Sequence, residues 1–332
     1  MKTPAFWFGD PKAPGIKARL LAPFGWLYGY GTARRLARGK GDAYQAKIPV
    51  ICIGNINAGG TGKTPTTIAL AQHLIARGFC VHIVSRGHAG KIEKPTRVSE
   101  RDHSAADVGD EPLLMAAFAD TWVSRDRAAG VRSAEHAGAE VILMDDGFQN
   151  PAVHKSLSIV VVDAVKGFGN RRCIPAGPLR EPVTPGLQRA DLILSIGPDG
   201  AQKRFSKTNA PLPCPHVQGK LQPLPTGMDW SGMNVLAFAG IGLPEKFFAT
   251  LRELGVNILR AEALADHQPL TEALMKRLEM EAATLGAQLV TTEKDAVRLP
   301  DAFRRKVLTV PVRLVLNDWT ALDQQLDRIG LG

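Results

Sequence analysis

A glycine-rich loop holds the residues of this chain that are suited to binding phosphate, and it follows the apolar run at 48–53. Its sequence is Asn57-Ala58-Gly59-Gly60-Thr61-Gly62-Lys63-Thr64. Glycines let backbone N–H groups turn towards phosphate oxygens, and the start of the following helix adds partial positive charge. In such a loop Lys63 would reach the β- and γ-phosphates of a nucleotide, and Thr64 would bind Mg²⁺. Asn57 replaces the usual first glycine, and we explain it by the tolerance of Asn for a left-handed backbone.

Two consecutive acids supply the second half of a nucleotide site. Asp145 and Asp146 close the apolar run at 141–144, which is typical of a strand buried on both faces. In P-loop proteins an acid at the end of such a strand holds Mg²⁺, directly or through water. We therefore predict a metal site formed by Thr64, Asp145 and Asp146, although two acids also suit an ordinary turn at a strand end.

The elements that must position these residues alternate between strands and helices. Buried strands are predicted at 48–53, 79–85, 140–145, 158–163 and 191–195, with a shorter one at 121–124. Helices are predicted from the loop to about residue 77, near 109–118, and at 127–137. This alternation predicts a P-loop type, doubly wound and mostly parallel α/β sheet.

A second series of strands and helices follows a stretch rich in proline and polar residues. Strands are predicted at 235–240, 288–292 and 307–316, and helices at 244–254, 271–285 and 319–329. The predicted domains are an N-terminal segment at 1–40, a P-loop kinase-type domain at 41–200, a linker at 201–233, and a smaller C-terminal α/β domain at 234–332.

The N-terminal segment carries most of the net charge of +9: residues 1–40 hold four Lys and four Arg against the single acid Asp10. The same residues include seven aromatic side chains, and 16–38 has a helical pattern. Basic residues mixed with aromatic ones suit a helix in a membrane interface. Nucleic acid is a competing partner, and a helix packed on the domain with a solvated basic face is the third interpretation. The four cysteines have no paired or metal-type spacing, which is typical of a reduced, cytosolic protein.

Motifs along most of the chain carry a resemblance to a known family. They are residues 50–65 around the glycine loop, Ser85-Arg86-Gly87, Gly109-Asp110-Glu111-Pro112, Asp145-Asp146-Gly147-Phe148-Gln149, Pro175-Ala176-Gly177-Pro178-Leu179-Arg180-Glu181, Asp266-His267 and Thr292-Glu293-Lys294-Asp295. On these motifs the sequence resembles the tetraacyldisaccharide 4'-kinases, which phosphorylate the lipid A precursor. The motifs at 145–149 and 175–181 are specific to that family, and Asn57 is one of its traits. His88 and Asn150 stand where the family usually has Tyr and His.

The resemblance implies a lipid kinase that depends on ATP and Mg²⁺. It would transfer the γ-phosphate to the 4'-hydroxyl of a tetraacylated glucosamine disaccharide 1-phosphate during lipid A synthesis. It also implies a peripheral, monotopic protein at the cytoplasmic face of the inner membrane of a Gram-negative bacterium, touching the membrane with its N-terminal helix. Neither nucleic acid nor an obligate protein partner is expected.

The resemblance further implies roles for side chains near the phosphates. Arg180 would stabilise charge on the transferring phosphoryl group, and Glu181 would add to the metal ligands. Without the resemblance, these two residues would be interpreted as a surface ion pair. Gln149 and Arg127 are weaker candidates for binding the substrate.

A positioned base helps to remove the proton of a sugar hydroxyl, which is a poor nucleophile at neutral pH. Asp110, at a predicted helix start, is the candidate, and the resemblance adds His267 as the residue that holds its orientation in a dyad. From the sequence pattern alone, Asp110 would be a helix cap and His267 a surface residue.

A GTPase switch or metallochaperone is the alternative function. Its support is the motif at 292–295, which is similar to the Asn-Lys-x-Asp motif that binds guanine. The Asn that reads guanine is replaced, because Thr-Glu stands in its place. We therefore favour the kinase.

Overall fold

The structure is a computed structural model that describes residues 3–39, 41–88, 90–266 and 268–332. Its strands are β1 (Val50–Gly54), β2 (Val81–Ser85), β3 (Thr96–Arg97), β4 (Asp120–Val123), β5 (Val141–Asp145), β6 (Leu157–Asp163), β7 (Leu192–Ile196), β8 (His216–Pro223), β9 (Asn234–Ala239), β10 (Asn257–Ala263), β11 (Gln288–Thr292), β12 (Val307–Val310) and β13 (Val312–Leu316). Its α-helices are α1 (Ile16–Leu20), α2 (Ala22–Gly39), α3 (Lys63–Ala76), α4 (Ala105–Val108), α5 (Asp110–Ala116), α6 (Arg127–His136), α7 (Val183–Leu187), α8 (Asp199–Asn209), α9 (Pro244–Glu253), α10 (Glu272–Leu285), α11 (Glu293–Ala296), α12 (Asp301–Arg304) and α13 (Thr320–Arg328). A 3₁₀ turn covers Ala5–Phe8.

A large sheet forms the body of the protein, with the strand order β13-β8-β7-β6-β1-β5-β2-β4-β3. Its pairs are parallel except at the two edges, where β13 pairs with β8 and β3 with β4 in antiparallel fashion. Alternate residues of the central strands enter two separate apolar clusters, one on each face. The helix α3 covers one face, and α6 and α8 cover the other. The predicted doubly wound, mostly parallel sheet is confirmed.

The central strands determine where the glycine loop and the acids at 145 and 146 lie. β1 lies between β5 and β6 and is parallel to both. All five residues of β1 and of β5 are buried. Because carboxyl ends of parallel strands meet at one edge of a sheet, the glycine loop after β1 lies beside the acids at the end of β5.

A smaller sheet of four parallel strands has the order β10-β9-β11-β12 and is built from residues 234–310. The helix α9 packs on one of its faces, and α10 packs on the other. The edge strand β10 is missing from the sequence prediction. Most of its residues are exposed, so it lacks the apolar run by which the other strands were recognised.

The linker predicted for residues 201–233 is corrected by the structure. Most of that stretch belongs to α8 and to β8, and β8 joins the large sheet beside β7. Phe205 and Val217 are buried in the core of that sheet. The surrounding prolines and polar side chains hide this pattern in the sequence.

The single strand predicted at 307–316 is two strands that belong to different sheets. β12 pairs with β11 in the smaller sheet, and β13 pairs with β8 at the edge of the large one. Pro311 stands between them, and it has no N–H to continue a ladder. The last helix, α13, then packs on the large sheet through Leu322 and Leu326. The chain therefore returns to the large sheet near residue 312. The smaller unit, which consists of the smaller sheet and the helices packed on it, does not extend to residue 332.

The predicted N-terminal helix is present as α1 and α2. One stripe of α2 is buried against the body, at Gly25, Gly29, Thr32 and Leu36. A Cβ added at Gly25 would lie 2.7 Å from the carbonyl oxygen of Cys173, so the close approach of this helix depends on glycine. No helix in the described ranges combines the length and the apolar character needed to cross a bilayer.

Candidate active site

The glycine loop leads from β1 into α3, as the sequence predicts. Gly59 and Gly62 have φ of 105° and 98°, a region that favours glycine. A Cβ added at Gly59 or Gly60 would meet no atom within 4 Å, so this part of the loop borders open space. Lys63 and Thr64 begin α3, and a helix start offers N–H groups that have no partner inside the helix. This arrangement fits a bound phosphate chain.

The explanation given for Asn57 from the sequence is wrong. Asn57 is not among the described non-glycine residues with positive φ. Its side-chain Nδ2 instead donates a hydrogen bond to the carbonyl oxygen of Gly167, 3.0 Å away, in the loop after β6. The next residue, Ala58, donates its N–H to the carbonyl oxygen of Pro178 over 2.6 Å. Asn57 and Ala58 therefore tie the glycine loop to two neighbouring loops.

Asp146 lies between two cations. Arg180 Nη1 donates to both of its carboxylate oxygens, at 2.8 and 3.1 Å, and Lys63 Nζ is 3.6 Å from Oδ1. Burial alone would raise the pKa of Asp146, but Lys63 and Arg180 outweigh burial and hold it below its ordinary value. The structure thus brings together three site residues that the sequence predicted from separate motifs.

Asp145 is buried at the end of β5, with 2% of its surface exposed. Ser85 Oγ donates to its Oδ2 over 3.3 Å, whereas its Oδ1 is buried without a hydrogen-bond partner among the described residues. Burial and the nearby carboxylate of Glu111 raise the pKa of Asp145 above its ordinary value. A buried carboxylate oxygen without a donor is costly, and a cation would relieve that cost.

A magnesium ion fits this edge of the sheet. Thr64, Asp145 and Asp146 are the residues that would hold it, and this metal site stays a prediction. Within the described ranges no group of three or more His, Cys, Asp or Glu side chains has metal-binding geometry. The ion would therefore be held largely by nucleotide phosphates, which is usual for Mg²⁺ in kinases.

The contacts of Glu181 do not favour its predicted role as a metal ligand. Its side chain is buried, and Gln149 Nε2 donates to Oε1 over 2.8 Å while Arg189 Nη2 donates to Oε2. Gln149 Nε2 also donates to the carbonyl oxygen of Asn55 over 2.7 Å. Glu181 and Gln149 therefore connect the loop at 175–181 to the end of β1, and the role of Gln149 in binding a substrate stays a prediction.

Arg127 is also placed differently from the prediction. It is 3% exposed, and its Nη2 donates to the backbone carbonyl oxygen of Asp145 over 2.8 Å. Burial is the main cause that lowers the pKa of Arg127. These contacts make it a support for the end of β5, whereas the sequence suggested a contact with the substrate.

Asp110 begins α5, and burial together with the carboxylate of the next residue, Glu111, raises the pKa of Asp145 at the end of β5. The side chain of Asp110 is 5% exposed, and its Oδ2 lies 3.9 Å from Lys294 Nζ and 4.0 Å from Arg298 Nε. His267 lies outside the described residues, so the dyad stays a prediction. The motifs that contain Glu111 and Lys294 are visible in the sequence, but no local pattern assigns a role to either residue.

The motif at 292–295 follows a strand of the smaller sheet, whereas the glycine loop belongs to the large sheet. Thr292 ends β11 of the smaller sheet. Asp295 is fully buried and accepts hydrogen bonds from the N–H of Gly240 at 3.0 Å and from Thr292 Oγ1 at 2.7 Å. Its carboxylate is thus held inside the smaller unit, and no observation favours the GTPase alternative.

The fold and the site together define a P-loop nucleotide-binding protein, with a glycine loop after the central strand and an acid at the end of the adjacent one. The family described as tetraacyldisaccharide-1-P 4'-kinase (LpxK) has a model that matches residues 17–330. The chain belongs to this family.

Several relatives and one solved structure are similar to this chain along almost its whole length. Proteins named tetraacyldisaccharide 4'-kinase from Jannaschia sp. (strain CCS1) and Dinoroseobacter shibae are each 59% identical, covering 99% of this chain and 99% and 98% of their own lengths. One from Rhodospirillum centenum is 46% identical over 98% of this chain and 96% of its own. The crystal structure of LpxK from Aquifex aeolicus in complex with ATP superposes with a TM-score of 0.77 at 26% identity, covering 95% of this chain and 99% of that one.

Proposed function

We propose that this protein transfers the γ-phosphate of ATP to the 4'-hydroxyl of a tetraacylated glucosamine disaccharide 1-phosphate. The observation that supports the chemistry most directly is the position of Asp146 between Lys63 and Arg180 beside the glycine loop. Family membership supports the acceptor, because the relatives are named for this substrate.

Each group of the cluster has a task in phosphoryl transfer. The backbone of the loop at 57–64 cradles the phosphates, and Lys63 and Arg180 stabilise the negative charge that spreads over the transferring phosphoryl oxygens. Asp146 forms ion pairs with both cations and holds them beside the loop. Thr64 and the acids at the end of β5 would hold Mg²⁺, which would neutralise part of the phosphate charge.

Asp110 accepts the proton of the acceptor hydroxyl in this proposal. It stands at the start of α5, beside Glu111, whose carboxylate acts on Asp145, and it is almost completely buried. A base in such a place is shielded from bulk water, so that the hydroxyl of a bound sugar is its natural proton donor.

We also infer that the N-terminal segment lies on the cytoplasmic face of the inner membrane and delivers the lipid. Large apolar side chains of α1 and α2 point to solvent, with Leu20, Phe24 and Trp26 exposed by 71, 60 and 68%. The arginines at 34, 35 and 38 are exposed on the same helix pair, where each adds about 1 kcal/mol on an anionic surface. An apolar face rimmed by cations is typical of a helix in a membrane interface.

The position of this segment supports that inference. Trp7 is half-buried, and its Nε1 donates to the carbonyl oxygen of Pro175 over 3.0 Å. Gly25 packs on Cys173. The exposed aromatic residues are therefore attached to the loop that carries Arg180, so a lipid headgroup at the surface would lie close to the phosphoryl donor. Trp7 itself attaches the segment to the body of the protein, and the exposed side chains of α1 and α2 are the ones that insert into the membrane.

The test is a kinase assay with labelled γ-phosphate. Purified protein is incubated with labelled ATP or GTP, with and without tetraacyldisaccharide 1-phosphate in detergent micelles. Label should appear on the lipid only with ATP, as a monoester at the 4' position. Absence of lipid labelling, or equal labelling from GTP, would contradict the proposal.

A further inference from the structure

The motif at 292–295, which the proposed chemistry does not use, joins the two sheets of the protein. It forms α11, whose start is capped by Thr292 Oγ1 accepting the N–H of Asp295 at 3.1 Å. Val297 follows this helix directly. It packs against an apolar cluster that includes Val108 of α4 and Leu113 of α5, beside the large sheet. This contact sets α11 of the smaller unit directly against α5, which carries Asp110.

Lys294 is the charged residue at the centre of this contact. Its Nζ lies 3.0 Å from Glu111 Oε1 and 3.9 Å from Asp110 Oδ2. Burial would lower the pKa of Lys294, but the carboxylates of Glu111, Asp110 and Asp266 outweigh burial and raise it. Lys294 is therefore a cation that faces two consecutive acids at one helix start.

The local sequence gives the start of α5 little rigidity. It follows Gly109, whose φ of 91° lies in the region that favours glycine, and α5 has only seven residues. A short helix after a glycine contributes little rigidity of its own. Without Lys294, Arg298 would be left beside Asp110, 4.0 Å from its Oδ2, and the repulsion between the carboxylates of Asp110 and Glu111 would be less well offset.

We propose that Lys294 is a positioning residue, which holds Glu111 and thereby fixes the start of α5 so that Asp110 faces the acceptor hydroxyl. Docking of the smaller sheet then controls whether the acceptor base is in its working orientation. The role assigned to Asp110 rests on the proposed function, whereas the contact between Lys294 and Glu111 does not.

The experiment compares Lys294→Met with Lys294→Arg. Methionine removes the charge but keeps the apolar stem, and arginine keeps a charge that can reach Glu111. Lys306→Met is the matched control, because Lys306 forms an ion pair too, but its partner Glu279 belongs to the same smaller unit and the pair is half-exposed. Steady-state kinetics with ATP and the lipid are combined with hydrogen exchange of the amides at 110–116.

Lys294→Met should lower kcat about 10- to 100-fold, because small misplacements of a reacting group have effects of that size, while KM for ATP changes less than about twofold. It should also speed hydrogen exchange at 110–116, and Lys294→Arg should restore most of both properties. Lys306→Met should change neither.

Two results would overturn the proposal. One is a Lys294→Met enzyme with the kcat of the wild type. The other is a loss of kcat with unchanged exchange at 110–116, which would mean that Lys294 does not act through α5. Failure of the wild type to label the lipid would instead count against the proposed function, and the exchange comparison would then still decide whether Lys294 holds the start of α5.

Discussion

Replacing Gly25 by alanine is expected to loosen α2 from the loop that carries Arg180, whereas the same replacement at Gly31 of the same helix is not. Gly25 faces the body of the protein, and Gly31 is exposed. The two variants therefore differ in packing while the chemical change is identical.

The structure gives the size of the difference. Removing a glycine from a helix by itself stabilises it by about 0.5–1 kcal/mol, and at Gly31 only this gain remains, because an added Cβ meets nothing within 4 Å. At Gly25 the added Cβ would lie 2.7 Å from the carbonyl oxygen of Cys173 and 3.2 Å from Ala176 Cβ. A backbone carbonyl cannot rotate away, so the helix must shift, and overpacking of this kind costs about 1–3 kcal/mol. The free energies of unfolding of the two variants should differ by about that amount, with Gly31→Ala the more stable.

Urea unfolding followed by circular dichroism measures the difference in stability, and hydrogen exchange of the amides at 22–39 locates it. Exchange in α2 should increase only in Gly25→Ala. That variant should also have a higher KM for the lipid and an unchanged KM for ATP, because α2 packs on residues 173–176 and not on the glycine loop. Equal stability and equal exchange in the two variants would refute the conclusion that the contact with Cys173 holds the helix.

Three further outcomes are expected. Lys63→Ala should fold normally but lose about 100- to 1000-fold in turnover, because it removes a cation from the transferring phosphate; near-normal turnover measured in the lipid assay would remove Lys63 from the site. Replacing Phe24 and Trp26 by serine should weaken sedimentation with anionic vesicles at least about tenfold, since each exposed side chain loses its burial in the interface. Met280→Ser, which changes an exposed apolar residue of the smaller unit, should bind vesicles as the wild type does. Asp110→Asn should reduce kcat about 100-fold or more with KM for ATP unchanged, and an unaffected kcat would leave Asp110 as a helix cap.

Much of the core of the fold can be predicted from the sequence because its signals are local. The glycine loop, the preceding apolar run and the following helix lie within 30 residues, and burial on both faces marks the parallel strands. Where that signal is absent, the prediction is wrong. β8 and β10 have polar or proline-rich sequences, and the apolar run at 307–316 gives no sign that its two halves join different sheets. The partner of a strand is chosen by the tertiary structure, since a strand pattern does not specify what it pairs with.

Some features of the candidate site can likewise be predicted from local sequence, and others depend on the tertiary structure. The sequence by itself determined where Lys63, Thr64, Asp145 and Asp146 lie, because each stands at the end of its own strand or at the start of its own helix, and their binding of phosphate and metal is a prediction. Only the tertiary structure decided which charged side chains meet. Asp146 pairs with Arg180, and Lys294 reaches Glu111 across 183 positions of the chain. A charged side chain carries no local signal of its partner, because the strength of an ion pair depends on the distance and burial that the packed elements impose.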